Sequence, residues 1–189
     1  MTEPYAQLSI GGGHVRAFGL DPSRPSLMAA RRHASAGAGA TPGYLAGVGE
    51  RPPFADASLD AVCSADALEH VADLSLVLDE IARVLRPGGR VVFDTINRTW
   101  VSRLIMIWAA QRLLRFAPPR THDFQAFIRP QELQRGLEGR GFRWGDLRGL
   151  SLRRHPVQAA WRYARGGTLG GFRLSDDTRV SYLGFADRL

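Results

Sequence analysis

Apolar and polar positions along this chain follow two periods, and they are clearest between Phe54 and Asn97. Leu59–Ala65 is a short apolar run with Asp60 at its mouth, the pattern of a strand. From Asp73 to Leu85, residues Leu74, Val77, Leu78, Ile81, Val84 and Leu85 recur at helical spacing, which makes one helix face apolar. Asp73 can cap the start of that helix, and Pro87-Gly88-Gly89 is expected to stop it. Arg90–Thr95 then reads as a β-branched strand. Two strands joined through a helix of this length predict a parallel βαβ unit.

The flanks carry weaker versions of the same alternation. Val15–Leu20 reads as a strand ending at Asp21, and Pro25–His33 as a helix with Pro25 in its first turn. Ala34–Gly43 is loop-like, and Tyr44–Val48 reads as a short edge strand. Thr99–Phe116 is an apolar helical stretch, broken at Pro118-Pro119. Pro130–Arg140 reads as a helix that stops near Gly141. Phe142–Leu152 and Gly171–Asp187 read as antiparallel strands joined by a loop that contains Arg153-Arg154-His155-Pro156 and Gly166-Gly167. No internal repeat is visible. The expected fold class is α/β, one domain over residues 1–189, with residues 99–120 as an apolar helical insertion.

Composition narrows the function. The chain has 189 residues, 44% of them hydrophobic, as in ordinary globular proteins. One cysteine, Cys63, excludes a disulfide framework and a multi-cysteine metal site. Its place in an apolar strand predicts a small buried hydrophobe. The net charge is +7 and every basic residue is arginine, which excludes a Schiff-base or P-loop lysine. The arginines are scattered, and no nucleic-acid motif accompanies them, so no nucleic-acid partner is expected. No apolar run follows a basic start, so no secretory leader is expected and the chain is placed in the cytoplasm.

Three features could carry chemistry. Asp66, Glu69 and His70 stand at i, i+3 and i+4, one face of a helical turn. Two carboxylates and an imidazole suit a divalent cation, and a solvated acidic turn is the plainer alternative. Gly11-Gly12-Gly13 is either a flexible turn or a ligand-approach loop, and Asp21 is either a helix cap or a ligand acceptor. The insertion is too short and too arginine-rich to span a bilayer. With Trp100, Trp108, Arg103, Arg112 and Arg115 it suits either a peripheral contact with an anionic membrane surface or a lid over a pocket.

Several segments together carry a family resemblance. Phe54–Asp60, Leu68–Val71, the helix ending in Val84–Gly89 and the strand that follows resemble a class I S-adenosylmethionine-dependent methyltransferase. Asp66–His70, Thr95-Ile96-Asn97-Arg98, Thr121-His122-Asp123, Phe127-Ile128-Arg129-Pro130 and Val180–Leu183 are similar to the ubiquinone-biosynthesis O-methyltransferases, which methylate polyprenyl catechol precursors. The resemblance runs from about Phe18 to the C-terminus. It implies a Rossmann-like sheet flanked by helices, mostly parallel with antiparallel C-terminal strands.

It also implies S-adenosylmethionine held by Gly11, Gly12 and Gly13, by Asp21 on the ribose, and by Ala65 beside the adenosine. It implies Mg2+ on Asp66, Glu69 and His70, with His70 as the catalytic base. Asp66 stands where the family has a glutamate. The chain departs from the family before Asp21. A helix should separate the glycines from that acid, yet only a few residues do, too few for a parallel crossover, so the first βα unit is read as truncated. The expected function is O-methylation of a polyprenyl phenol in quinone biosynthesis. The alternatives are another small phenolic substrate, or a non-catalytic lipid- or partner-binding module. The insertion would place the enzyme peripherally on the inner face of the cell membrane.

Overall fold

The computed structural model describes residues 15–36, 42–105, 123–153, 158, 161–162, 165–166 and 171–189. The chain divides into two compact units, residues 1–54 and 55–189.

In the first unit β1 (Phe18–Asp21) lies parallel to β2 (Gly43–Ala46), with Asp21 opposite Ala46. Helix α1 (Arg24–Ala36) lies between them in sequence and packs on both. Leu27 and Tyr44 are buried, and Arg31 Nη2 donates to the Tyr44 carbonyl at 2.7 Å. The helix outruns the expected Pro25–His33, because Ala34–Ala36 continue it before any breaker intervenes.

The second unit holds β3 (Leu59–Ser64), α2 (Leu74–Val84), β4 (Leu85–Ile96), the short α3 (Trp100–Ser102), α4 (Pro130–Glu138), β5 (Phe142–Leu152), β6 (Phe172–Ser175) and β7 (Ser181–Arg188). The strands form one sheet in the order β3-β4-β7-β5-β6. β3 and β4 are parallel and joined by α2; the β4–β7, β7–β5 and β5–β6 pairs are antiparallel. The apolar face of α2 drives the packing: Val77, Leu78, Ile81 and Val84 are buried, and the core continues through Val91, Phe93, Leu133, Leu137 and Tyr182. Asp73 caps α2 by accepting the Ser75 and Leu76 N–H groups at 2.8 and 3.2 Å.

One expectation is met closely and one needs correcting. Helix α2 ends at Val84 with Leu85 as its C-cap, just ahead of the expected stop at Pro87-Gly88-Gly89. Leu85, fully buried, is already extended and paired with Leu59, and the Pro-Gly-Gly triplet forms an irregularity in the strand. The pairing jumps there from Leu59–Leu85 to Ala61–Arg90, with Gly88 at φ 79°. Cys63 is exposed, not buried. It alternates with Val62, which packs toward the core, and it pairs with the exposed Val92 on the other face.

Several of the described arginines have acidic neighbours. Arg83 bridges Glu80 and Asp56, Arg90 pairs with Asp187, and Arg140 pairs with Asp79. Arg148 binds Asp146 and Asp176, and Arg179 binds Asp177. These pairs offset part of the positive charge locally.

Candidate active site

In open α/β sheets ligands gather outside the carboxyl ends of parallel strands. In the second unit those ends belong to β3 and β4, where Ser64 lies opposite Phe93. After β3 the chain passes the half-buried Ala65 and reaches Asp66, exposed and left-handed at φ 46°. Aspartate visits that region more readily than most residues, because its short polar side chain bonds locally. The Asp66 N–H donates to Asp94 Oδ1 at 2.9 Å.

Leu68–His70 then forms a single 3-10 turn. Leu68 enters the core and Glu69 follows it, 5% exposed. Thr95 Oγ1 donates to Glu69 Oε2 at 2.6 Å, while Glu69 Oε1 is buried without a hydrogen-bond partner. Burial pushes the Glu69 carboxyl above the ordinary range; the Thr95 bond opposes this and the Asp66 charge adds to it. Burial likewise raises the Asp94 carboxyl, against the Asp66 N–H that favours its charged form.

The end of β4 ties distant segments together. Ile96 accepts the Ile128 N–H at 3.1 Å, and the Tyr182 hydroxyl donates to the Ile128 carbonyl at 3.1 Å. The Asn97 N–H donates to the Val180 carbonyl at 2.9 Å, and its side chain donates to the Thr178 carbonyl at 2.8 Å. Arg98 pairs with Glu132 of α4 and donates to the Gln125 carbonyl at 3.3 Å. Asp123 Oδ1 accepts the Gln125 N–H at 3.0 Å, closing a second 3-10 turn, Phe124–Ala126. Thr95–Arg98, Asp123, Phe127–Pro130 and Val180–Leu183, far apart in sequence, thus meet at one end of the sheet.

The proposed cation ligands do not meet in this way. Asp66 lies before the 3-10 turn, Glu69 points inward to Thr95, and His70 is exposed. The expected helical turn takes in only Leu68–His70; Asp66 stands outside it with a left-handed backbone and Glu69 is turned inward, so the three do not share one face. Among the described residues no group of three or more His, Cys, Asp or Glu side chains could hold a metal ion. Mg2+ therefore does not fit these residues as they stand.

Asp21, in the first unit, ends β1 at a parallel strand terminus. Its Oδ1 accepts the Ser23 N–H at 2.6 Å, just ahead of α1. One carboxylate oxygen is thus engaged in a local turn ahead of α1. Gly11, Gly12 and Gly13 lie outside the described residues, as do Tyr5–Ile10, Thr121, His122 and most of the insertion, residues 106–120. The sequence reading missed Asp94 and the structural part played by Asn97. Strand alternation could have flagged Asp94, which faces away from its buried neighbours Phe93 and Thr95. Nothing local signals Asn97, whose partner lies 81 residues on.

Comparison with known proteins bears on the family and the fold. Residues 2–93 match the methyltransferase domain family. The ubiquinone biosynthesis O-methyltransferase of Rhizobium etli is 32% identical over 188 residues, covering 100% of this chain and 68% of that protein. Its Sinorhizobium fredii counterpart is 34% identical, with the same coverage. Among solved structures, a SAM-dependent methyltransferase of Methanosarcina mazei superposes with a TM-score of 0.60 at 17% identity, over 91% of this chain and 81% of that one. That likeness carries the Rossmann-like fold.

Proposed function

The chain belongs to the ubiquinone biosynthesis O-methyltransferase family, and on that premise we propose that it methylates a phenolic hydroxyl of a polyprenyl phenol or catechol, with S-adenosylmethionine as the methyl donor. The observation that carries this reading is the meeting of Thr95–Arg98, Asp123, Phe127–Pro130 and Val180–Leu183 beside the carboxyl ends of β3 and β4. These are the segments that carry the resemblance to this family.

The bound sulfonium supplies an electrophilic methyl group, displaced in line by the phenolic oxygen. Asp21 would accept the ribose hydroxyls, Gly11, Gly12 and Gly13 would allow close backbone approach, and Ala65 would line the adenosine. The attacking oxygen works best as phenolate, yet a phenol ionises only near pH ~10. A base is needed, and His70, exposed at the end of its turn, is the candidate to accept the proton. The remaining work is alignment of nucleophile and methyl group.

Mg2+ on Asp66, Glu69 and His70 is the finer expectation of the sequence, and no step here depends on it. The polyprenyl substrate is supported by the insertion's start. Trp100, Leu104 and Ile105 are exposed, as lipid contact requires and a buried lid does not. No helix among the described residues is long and apolar enough to cross a membrane.

The test is transfer of labelled methyl from S-adenosylmethionine to a short-chain polyprenyl catechol. Asp21→Ala should weaken cofactor binding by about 1–3 kcal/mol, the cost of a lost charge-assisted acceptor. His70→Ala should stay folded and lose turnover. Activity that survives EDTA removes the metal; absence of methyl transfer and of cofactor binding removes the enzyme reading.

A further inference from the structure

Asp94 lies in β4 one position past Phe93, which stands opposite Ser64, the last residue of β3. Its neighbours Phe93 and Thr95 face the core, and alternation turns Asp94 to the opposite face. There its Oδ1 accepts the Asp66 N–H at 2.9 Å, a contact between residues 28 apart. Asp66 is left-handed at φ 46°, one of two non-glycine residues described with positive φ. A side-chain residue in that conformation costs energy and persists where its surroundings hold it. The N–H of Asp66 is one such hold, because a charged acceptor makes a stronger bond than a neutral one.

The turn so held is Ala65–Asp66, the corner where the chain leaves β3. Without the bond, Asp66 is free to relax to an ordinary right-handed or extended conformation. Ala65 would then leave the position that the strand end and the turn jointly define.

We propose that Asp94 is a positioning residue for the methyltransferase reaction: by gripping the Asp66 N–H it fixes the Ala65–Asp66 corner in the shape that receives the adenosine. This rests on the reading of Ala65 as an adenosine neighbour. Asp94 does not touch the methyl group or the phenol in this account. It acts on the cofactor's side only, through the backbone of another strand.

The experiment uses the full chain and calorimetric titration with S-adenosylhomocysteine. Asp94→Ala removes the acceptor and should weaken binding about tenfold. Asp94→Asn keeps an acceptor oxygen at the same place and should restore binding to within about threefold of the parent. A merely structural loss would show no such restoration by a neutral isostere. If the alanine variant does not fold, Asp94→Ser replaces it, since its hydroxyl stops one bond short of Oδ1. Full affinity in Asp94→Ala or Asp94→Ser overturns the proposal, and so does an asparagine variant as weak as the alanine one. No binding by the unmutated chain instead removes the cofactor reading on which the proposal stands.

Discussion

Glu69 offers the sharpest test of the reasoning. Its carboxyl is 5% exposed, with one oxygen bonded to Thr95 and the other buried without a partner. In an unfolded chain it would ionise near its ordinary value of 4.5, whereas burial holds the proton on in the fold. Between those two values the native state binds more protons than the unfolded state, so stability falls as pH rises. The contribution is full below 4.5 and lost as pH climbs through the folded value.

A buried polar atom without a partner costs about 1–3 kcal/mol, more when charged, and the Thr95 bond offsets part of it. The ionised carboxylate should therefore lower stability by about 1–3 kcal/mol relative to the protonated one. Glu69→Gln keeps the shape and the acceptor for Thr95 but cannot ionise. Urea unfolding of both proteins from about pH 4.5 to 9 gives the difference directly. Asp79, Asp177 and Asp187, which arginine neighbours hold below the ordinary range, titrate alike in both proteins and cancel. Relative to the parent, the variant should gain about 1–3 kcal/mol toward the alkaline end. A difference that stays flat across the series would show that the carboxylate is not strained by its burial.

Asp73→Ala should cost about 0.5–2 kcal/mol in thermal or urea unfolding, because it removes the cap on the Ser75 and Leu76 N–H groups; no loss would mean water replaces it. Gly149→Ala should destabilise by about 1–3 kcal/mol or more, since an added Cβ would sit 1.8 Å from the Asp177 carbonyl oxygen, and a variant as stable as the parent would contradict that packing. The chain should sediment with anionic vesicles at low salt and release as salt rises, at roughly 1 kcal/mol per basic residue near the surface. Failure to bind either anionic or neutral vesicles would remove the lipid-facing reading of Trp100, Leu104 and Ile105.

What the sequence made legible was local. Helix α2 could be read because its apolar spacing, its Asp73 cap and its length all point the same way. The bounds of β5 could be read because Gly141 and the alternation from Phe142 mark them. The stop at Pro87-Gly88-Gly89 could be read too, since α2 ends at Val84, just ahead of it. The errors arose where tertiary packing decided. Cys63 looked buried because an apolar run does not reveal which of its residues turn toward the core. The site was legible as motifs and not as geometry. Spacing placed Asp66, Glu69 and His70 together, and a 3-10 turn with a left-handed Asp66 separated them. Glu69 met Thr95, 26 residues away, which no local pattern encodes.

The pairing of β4 with β7 also governs how the chain can change length. Arg90 and Asp187 meet although they are 97 residues apart, and everything from the insertion to β6 lies between those strands. The entropy of closing such an excursion grows only logarithmically, by about 0.6 kcal/mol for each doubling. The connections between Ile96 and Ser181, outside α4, β5 and β6, can therefore lengthen or shorten at small cost to the sheet. β3, α2 and β4 have no such latitude, because their connection is short and their pairing immediate. The architecture leaves the connections beyond β4 open to remodelling while the ends of β3 and β4 stay where they are.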